Sequence, residues 1–212
     1  MPETAKNADL LAKTYKASSR EELTSIYDEW ASLYDSHAQE RNSAQPGRVA
    51  QACAVSIKDR SVTILDVGAG TGMIGEALKA AGFQNLTAFD PSEEMLKVAK
   101  GKGAYQSYQG GYLGDRLSFD GNSFDAIVAS GIFTVGHVDS AVFPELNRIL
   151  KPSGKMIFSI NTKLLDDVGF SQLLRQSETL NWKLDQISSE FDMMDTQYSA
   201  ARAVIVELSK LE

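Results

Sequence analysis

The sequence predicts an α/β fold built on a mostly parallel sheet with helices on both faces. Ile64–Val67 has the character of a buried strand and runs through a turn rich in glycine into the amphipathic helical segment Met73–Ala81. A second strand over Asn85–Asp90 is followed at once by a helical segment that begins with two acidic residues, as the helix dipole favours. Strand and helix patterns then continue to alternate along the chain, which indicates parallel strands joined by helical crossovers.

The segment before this sheet is predicted to be helical. Residues 1–19 are polar and rich in alanine, and from Arg20 apolar residues recur every three or four positions. Three aromatic residues of this helix, Tyr27, Trp30 and Tyr34, either pack over the edge of the sheet or cover a ligand. Because Pro46 follows, we expect a division into an N-terminal helical arm or lid, 1–45, and a ligand-binding domain, 46–212.

The glycine turn after the first strand predicts a ligand at the carboxyl edge of the sheet. Gly70, Gly72 and Gly75 fit the G-x-G-x-x-G pattern of dinucleotide-binding proteins, but the pattern begins several residues after the strand. Asp66, at the end of that strand, would repel a pyrophosphate and suits a ligand with positive charge. S-adenosylmethionine carries a sulfonium and an ammonium group and has no phosphate.

The stretch I-L-D-V-G-A-G-T-G closely resembles motif I of class I S-adenosylmethionine-dependent methyltransferases. That resemblance implies a Rossmann-like fold with a seven-stranded, mostly parallel sheet and an antiparallel last strand. It also implies S-adenosyl-L-methionine as the cofactor. The cofactor contacts that it implies in this motif are Asp66, Gly68, Ala69, Gly70 and Gly72. The stretch Y-D-E-W-A-S-L-Y-D ahead of the motif resembles the N-terminal cap of many small-molecule methyltransferases, which implies that Tyr27, Trp30 and Tyr34 also contact the cofactor.

Asp90 ends the second predicted strand, about twenty residues after the glycine turn. An acid at this place can accept hydrogen bonds from both hydroxyls of a ribose, although an N-cap of the next helix is the alternative role. The stretch F-D-P-S-E-E-M-L is similar to the second motif of class I methyltransferases. Asp90, Pro91 and Met95 are therefore predicted to contact the cofactor.

Two further strands are predicted at Tyr105–Gln109 and Phe124–Ala129. In the family that the chain resembles, the loop after the third strand passes the adenine. Here that loop offers backbone and apolar contacts from Gly111, Tyr112 and Leu113, while Asp115 is the acidic alternative. Ser130 and Gly131 follow the fourth strand, where the cofactor and the methyl acceptor are expected to meet.

The remaining segments complete the predicted sheet. Pro144–Leu150 reads as a helix, and R-I-L-K-P-S-G-K resembles the turn that precedes the fifth strand in class I methyltransferases. A helix over 166–181 and strands over Lys183–Glu190 and Arg202–Leu208 follow. This closing strand pair fits the antiparallel last strand of a methyltransferase sheet better than it fits a dinucleotide-binding sheet.

Composition limits the partners of the chain. Its 212 residues carry a net charge of −7 and a single cysteine, so a basic nucleic-acid-binding face and an internal disulfide are not expected. No apolar run approaches the roughly 20 residues of a membrane span, and the first residues do not resemble a signal peptide. We expect a cytoplasmic monomer or homodimer that has no metal site and acts on a small molecule.

The loop after the fourth strand carries His137, whose ordinary pKa of about 6.5 suits a general base. We therefore interpret the chain as a methyltransferase that acts on a small molecule, with His137 as the candidate catalytic residue; the alternative is that His137 is an ordinary surface residue of this loop. Within the superfamily it most resembles the Williams–Beuren-region methyltransferase-like proteins. Two alternatives stay open: a protein that binds S-adenosylmethionine for regulation or interaction, and a nicotinamide-dependent oxidoreductase.

Overall fold

A computed structural model of the protein describes residues 3–175, 181–195 and 200–211. The helices are α1 (Glu3–Thr14), α2 (Arg20–Glu40), α3 (Gln45–Ser56), α4 (Met73–Ala80), α5 (Glu93–Lys102), α6 (Phe143–Ile149) and α7 (Val168–Arg175). The strands are β1 (Ile64–Val67), β2 (Leu86–Asp90), β3 (Ser107–Gly110), β4 (Phe124–Phe133), β5 (Leu150–Asn161), β6 (Trp182–Ile187), β7 (Phe191–Asp192) and β8 (Arg202–Lys210). None of the helices in these ranges is long and apolar enough to cross a membrane.

The strands form one sheet in the order β3-β2-β1-β4-β5-β8-β6. The strands from β3 to β5 run parallel, whereas β8 lies antiparallel between β5 and β6. The predicted fold class, a seven-stranded, mostly parallel sheet with an antiparallel last strand, is therefore confirmed. Strand β7, a two-residue strand that pairs with β8, was not predicted from the sequence.

Apolar side chains fill both faces of the sheet. One cluster includes Leu146 of α6 and Phe170 of α7, and the other includes Cys53 of α3, Leu78 of α4 and Leu96 of α5. The central strand β1 is buried along its whole length. Helices therefore cover the two faces, and the carboxyl edge of the parallel strands is the part of the sheet available for a ligand.

Several boundaries differ from the sequence prediction, among them the ends of β6 and β8. Strand β3 begins at Ser107, since Tyr105 turns away to pack against α4 and is 7% exposed. Strand β4 continues past Ala129 to Phe133, with an irregularity in its pairing to β5, so Phe133 lies in the core. Helix α7 covers the first part of the predicted helix 166–181, and residues 176–180 lie outside the described ranges.

Helix α2 begins where its sequence provides a cap. The Ser19 hydroxyl accepts a hydrogen bond from the Glu22 amide at 3.1 Å, and the acids of the first turn match the helix dipole. The helix packs against α1 on one side and α5 on the other. It therefore lies close to the carboxyl edge of β1 and β2, while the domain division at residue 45 stays a prediction.

Candidate functional site

A cleft of about 460 Å³ opens at the carboxyl ends of β1, β2 and β4, a size that accommodates a cofactor or other small ligand. Helix α2 and the loop after β4 form its outer walls. The predicted site residues that line it are Tyr27, Tyr34, Gly68, Ala69, Gly70, Asp90, Pro91, Met95, Tyr112, Leu113, Ser130, Gly131 and His137. Residues that are far apart in the sequence thus share one cavity.

The glycine turn presents one open position to the cleft. A Cβ at Gly70 would meet nothing within 4 Å, and this residue has a φ of +52°, which glycine adopts without steric cost. A Cβ at Gly68 would instead lie 2.2 Å from Cγ2 of Ile132. The close approach at Gly68 therefore joins the turn to the end of β4, and Gly70 supplies the space for a ligand.

Asp90 fixes the turn from the neighbouring strand. Its two carboxylate oxygens accept hydrogen bonds from the Gly70 amide at 2.8 Å and the Ser92 amide at 2.9 Å. Ser92, not Asp90, caps helix α5, because its hydroxyl accepts from the Met95 amide. The helix-cap role considered for Asp90 is therefore filled by another residue. A carboxylate has about four acceptor directions, so those not used by the backbone remain for a ligand.

Burial raises the pKa of Asp90 to about 6, although the amides of Ser92 and Gly70 act in the opposite direction. Without a ligand, the ionised form of Asp90 is therefore unfavourable, because the carboxylate has lost its hydration and only two neutral amide donors replace the water. A ligand that donates hydrogen bonds or brings positive charge would favour the ionised carboxylate. This electrostatic setting suits hydroxyl groups and cations and disfavours phosphate.

Asp66 does not line the cleft. It is 1% exposed, and its Oδ2 accepts a hydrogen bond of 2.6 Å from the Tyr105 hydroxyl, which in turn accepts from the Gly75 amide. Its Oδ1 is buried without a partner, and burial raises the pKa of Asp66 to about 7. The side chain therefore influences the cleft through the position of the glycine turn and through its charge.

Trp30, Gly72 and Gly111 are the other predicted contacts that lie away from the cleft. Trp30 is 3% exposed and packs against Tyr34 with ring centroids 5.0 Å apart. A Cβ at Gly72 would lie 3.0 Å from the Tyr105 ring, and one at Gly111 would lie 2.9 Å from the Phe89 ring. These three residues support neighbours and do not face the cavity.

Two acidic residues hold α2 over the turn and α5. Oδ1 of Asp28 accepts hydrogen bonds from the Ser92 hydroxyl at 2.6 Å and the Glu94 amide at 3.3 Å. Asp35 accepts from the Thr71 hydroxyl and forms an ion pair with Lys102. The aromatic face of α2 is thereby held over the cleft from both ends of α5. This role of Asp28 and Asp35 was not predicted from the sequence.

The loop after β3 forms a further wall. The ring of Tyr112 lies under the Arg20 guanidinium, whose carbon is 4.5 Å from the ring centroid. Asp115 accepts a hydrogen bond from this guanidinium at 2.9 Å and does not line the cavity. Tyr112 and Leu113 therefore occupy the position from which apolar contacts to a base were expected, and Asp115 serves to hold Arg20.

His137 lies on the wall opposite α2. Its Nε2 is 3.0 Å from the Tyr27 hydroxyl oxygen, and its Nδ1 is 3.3 Å from the Val135 carbonyl oxygen. Burial lowers the pKa of His137, so the ring is neutral at pH 7. A neutral imidazole that faces a cleft can accept a proton, which is the property predicted for this residue.

Several lining residues were not identified from the sequence. Gln45 of α3 lines the cleft and its Oε1 accepts from the Ser159 hydroxyl at 2.9 Å, while that hydroxyl accepts from the Gly131 amide at 3.1 Å. The others are mainly apolar: Leu23, Met73, Ile74 and Val142. In the described part of the chain, no three His, Cys, Asp or Glu side chains form a group that could hold a metal.

Comparison with known proteins identifies related sequences. A sequence family described as "Methyltransferase domain" matches residues 65–158. Human methyltransferase-like protein 27 is 33% identical over 166 residues, which cover 76% of this chain and 64% of that protein. A ubiquinone biosynthesis O-methyltransferase of Xanthomonas oryzae is 33% identical over 100 residues, 45% of this chain and 41% of that protein. The chain thus spans less than two thirds of the length of either relative.

Solved structures share the fold at lower identity. A methyltransferase described in complex with the Haloferax volcanii Trm112 activator superposes with a TM-score of 0.63 at 16% identity. The match covers 88% of this chain and 98% of that one. This similarity supports the sheet topology described above.

Proposed function

We propose that the chain belongs to the class I S-adenosylmethionine-dependent methyltransferase superfamily and that it transfers a methyl group from S-adenosylmethionine to a small, uncharged molecule. One observation carries this proposal: the open face of Gly70 and the carboxylate of Asp90 lie in a single cleft at the carboxyl edge of β1 and β2. The relatives that match in sequence support it, since both are named as methyltransferases or methyltransferase-like proteins.

The residues of the cleft fit the cofactor. Asp90 has free acceptor directions for ribose hydroxyls, and Tyr112 and Leu113 provide apolar surface for the adenine. Asp90 and the nearby buried Asp66 favour a ligand with positive charge. When bound, S-adenosylmethionine supplies an electrophilic methyl group on a sulfonium. The protein aligns the acceptor with that group and excludes water, which can lower the barrier by roughly 7–11 kcal/mol in well-oriented cases.

The cleft indicates the charge of the acceptor. Arg20 is the single Lys or Arg among the described residues that line it, and it is already bonded to Asp115. A carboxylate or phosphate group on the acceptor would therefore lose its hydration on binding and would find no unpaired cation in the cleft to replace it. Apolar side chains such as Ile132, Val138 and Val142 cover much of the acceptor wall. These features support a neutral acceptor with apolar surface.

We also propose that residues 1–45 act as the lid of this site. Tyr27 and Tyr34 of α2 line the cleft, and Asp28 and Asp35 connect α2 to α5 and to the glycine turn. Similarity to methyltransferase-like protein 27 supports a place near that protein within the superfamily. The proposal for the lid does not depend on that relationship.

Calorimetric titration separates the proposed cofactor from the dinucleotide alternative. We expect S-adenosylmethionine and S-adenosylhomocysteine to bind and nicotinamide dinucleotide to give no signal, because the Asp90 carboxylate in the cleft repels phosphate when it is ionised. Tight binding of the dinucleotide alone would reverse this assignment.

A second assay separates catalysis from regulatory binding. The protein is incubated with S-adenosylmethionine labelled in its methyl group and with a library of neutral and anionic small molecules. The proposal expects label to be transferred to neutral members of the library. Cofactor binding without transfer to any member would instead favour the regulatory alternative.

A further inference from the structure

Tyr27 and His137 form a hydrogen-bonded pair across the cleft. Tyr27 belongs to α2 and His137 to the loop after β4, and their side chains meet at 3.0 Å between the hydroxyl oxygen and Nε2. Both residues line the cleft. The pair therefore joins the lid to the opposite wall at a place that an acceptor can reach.

The neighbours of His137 determine which nitrogen carries its proton. The Val135 carbonyl oxygen lies 3.3 Å from Nδ1, and a carbonyl oxygen can only accept a hydrogen bond. Nδ1 therefore holds the proton of the neutral ring, and Nε2 has the free electron pair. It follows that the Tyr27 hydroxyl donates to Nε2, so both nitrogens of His137 have a hydrogen-bond partner.

The surroundings keep both members of the pair neutral. Burial lowers the pKa of His137 and raises that of Tyr27 well above its usual value. The ring of Tyr15 contacts His137 edge-on at 6.0 Å, and Tyr34, Asp90 and Tyr15 are the titratable groups that act on Tyr27. Their negative charge, when present, would further disfavour a tyrosinate. A neutral phenol that donates to a neutral imidazole is thus the resting state.

We propose that Tyr27 receives the proton of a hydroxyl acceptor and passes its own proton to His137. As the acceptor oxygen forms its bond to the methyl carbon, the bond from that carbon to sulfur breaks and its electron pair stays on sulfur. The acceptor proton moves to the Tyr27 oxygen, and the Tyr27 proton moves to Nε2, which leaves an imidazolium that later loses a proton to solvent. This inference rests on the proposed methyl transfer and gives Tyr27 a role different from the predicted cofactor contact.

The first test observes His137 directly and needs no turnover. The chain has two histidines, so ¹⁵N-histidine NMR of the complex with S-adenosylhomocysteine can be assigned with the His137→Gln variant. We expect His137 to be protonated at Nδ1, and Tyr27→Phe to raise its pKa by about half to one unit, since the neutral ring loses a donor. Tyr15→Phe is the matched control and should leave the pKa unchanged. An unchanged His137 pKa and tautomer in Tyr27→Phe would overturn the pairing.

The second test measures methyl transfer to a panel of small phenols and alcohols, together with the affinity for S-adenosylmethionine. Tyr27→Phe and His137→Gln should each lower kcat by about 100- to 10,000-fold, and the double variant should be no slower than the single ones. Affinity for S-adenosylmethionine should change less than about twofold in Tyr27→Phe.

Two outcomes would overturn the relay. Retained turnover in Tyr27→Phe with a loss in His137→Gln would mean that His137 takes the proton directly, and retained turnover in both would remove both residues from the proton path. If the wild-type protein binds S-adenosylmethionine but methylates no hydroxyl compound of the panel, the hydroxyl step is wrong while the cofactor assignment stands.

Discussion

Replacement of Asp66 by asparagine should change how the stability of the protein depends on pH. Asp66 is buried, and one of its oxygens accepts from Tyr105 while the other has no partner. Burial raises the pKa of this carboxyl to about 7, with a smaller contribution from Asp90 in the same direction. Asparagine has nearly the same shape and can still accept the Tyr105 hydrogen bond, but it does not titrate.

The size of the effect follows from the two states of the carboxyl. In the unfolded chain Asp66 loses its proton near pH 4, whereas in the folded protein it keeps the proton until about pH 7. Between these values the folded state binds more protons, so the free energy of unfolding falls as pH rises. The contribution of Asp66 falls by at most about 1.4 kcal/mol per pH unit, which amounts to about 2 kcal/mol between pH 5 and pH 7, and it levels off about one pH unit above the folded pKa.

Urea denaturation of both proteins between pH 5 and pH 8 measures this contribution as a difference. The comparison is necessary because burial also lowers the pKa of His37 to about 4, which makes the stability of the wild-type protein rise with pH over an overlapping range. His37 is present in both proteins, so its contribution cancels. A difference in free energy of unfolding that stays constant from pH 5 to pH 8 would refute the reasoning.

Three further predictions concern individual side chains. Asp90→Ala should weaken S-adenosylmethionine binding by about 1–3 kcal/mol in calorimetry, because the ribose and the Gly70 amide lose their acceptor. Gly75→Ala should lower the free energy of unfolding by about 1–3 kcal/mol, since the new Cβ would lie 2.2 Å from the Tyr105 ring. Gly101→Ala is the matched control in α5. Its Cβ would enter open space, so this change should raise the free energy of unfolding by about 0.5–1 kcal/mol. Trp30→Ala should lower it by about 3–5 kcal/mol through lost packing under α2.

Each of these predictions has an outcome that contradicts it. Wild-type affinity in a folded Asp90→Ala protein would remove Asp90 from the cofactor site. Equal urea midpoints for the two glycine variants would mean that Tyr105 does not pack on α4 as described. A Trp30→Ala protein with wild-type stability would show that α2 is not anchored by this ring.

The sequence predicted the sheet because its strands and turns carry strong local signals. A glycine turn after an apolar strand, and an acid at the end of the next strand, place residues on the carboxyl edge whatever the surrounding packing. The predicted ends of strands were less accurate than the strands themselves. Strand β4, for example, continues to Phe133 because its last residues still pair with β5. Such pairing depends on a strand that is distant in the sequence, so local pattern does not reveal it.

The direction of side chains accounts for the predicted contacts that lie away from the cleft. Both faces of β1 are covered, so alternation of apolar and polar residues gives no indication of the side on which Asp66 points. On α2, Tyr27 and Tyr34 are seven residues apart, nearly two turns, and both face the cleft, whereas Trp30 is turned by about 60° from Tyr27. The sequence predicts the aromatic cluster on α2. Which of its rings face the cleft and which are buried depends on how α2 packs against α1, and the local pattern does not show this packing.

A crystal structure of the protein with S-adenosylhomocysteine tests the central claim most directly. The proposed function predicts the nucleoside in the cleft between Gly70 and Asp90, with its ribose hydroxyls on the Asp90 carboxylate and Tyr27 and Tyr34 closing over it. Density for S-adenosylhomocysteine elsewhere, with a dinucleotide filling this cleft in a parallel soak, would contradict it.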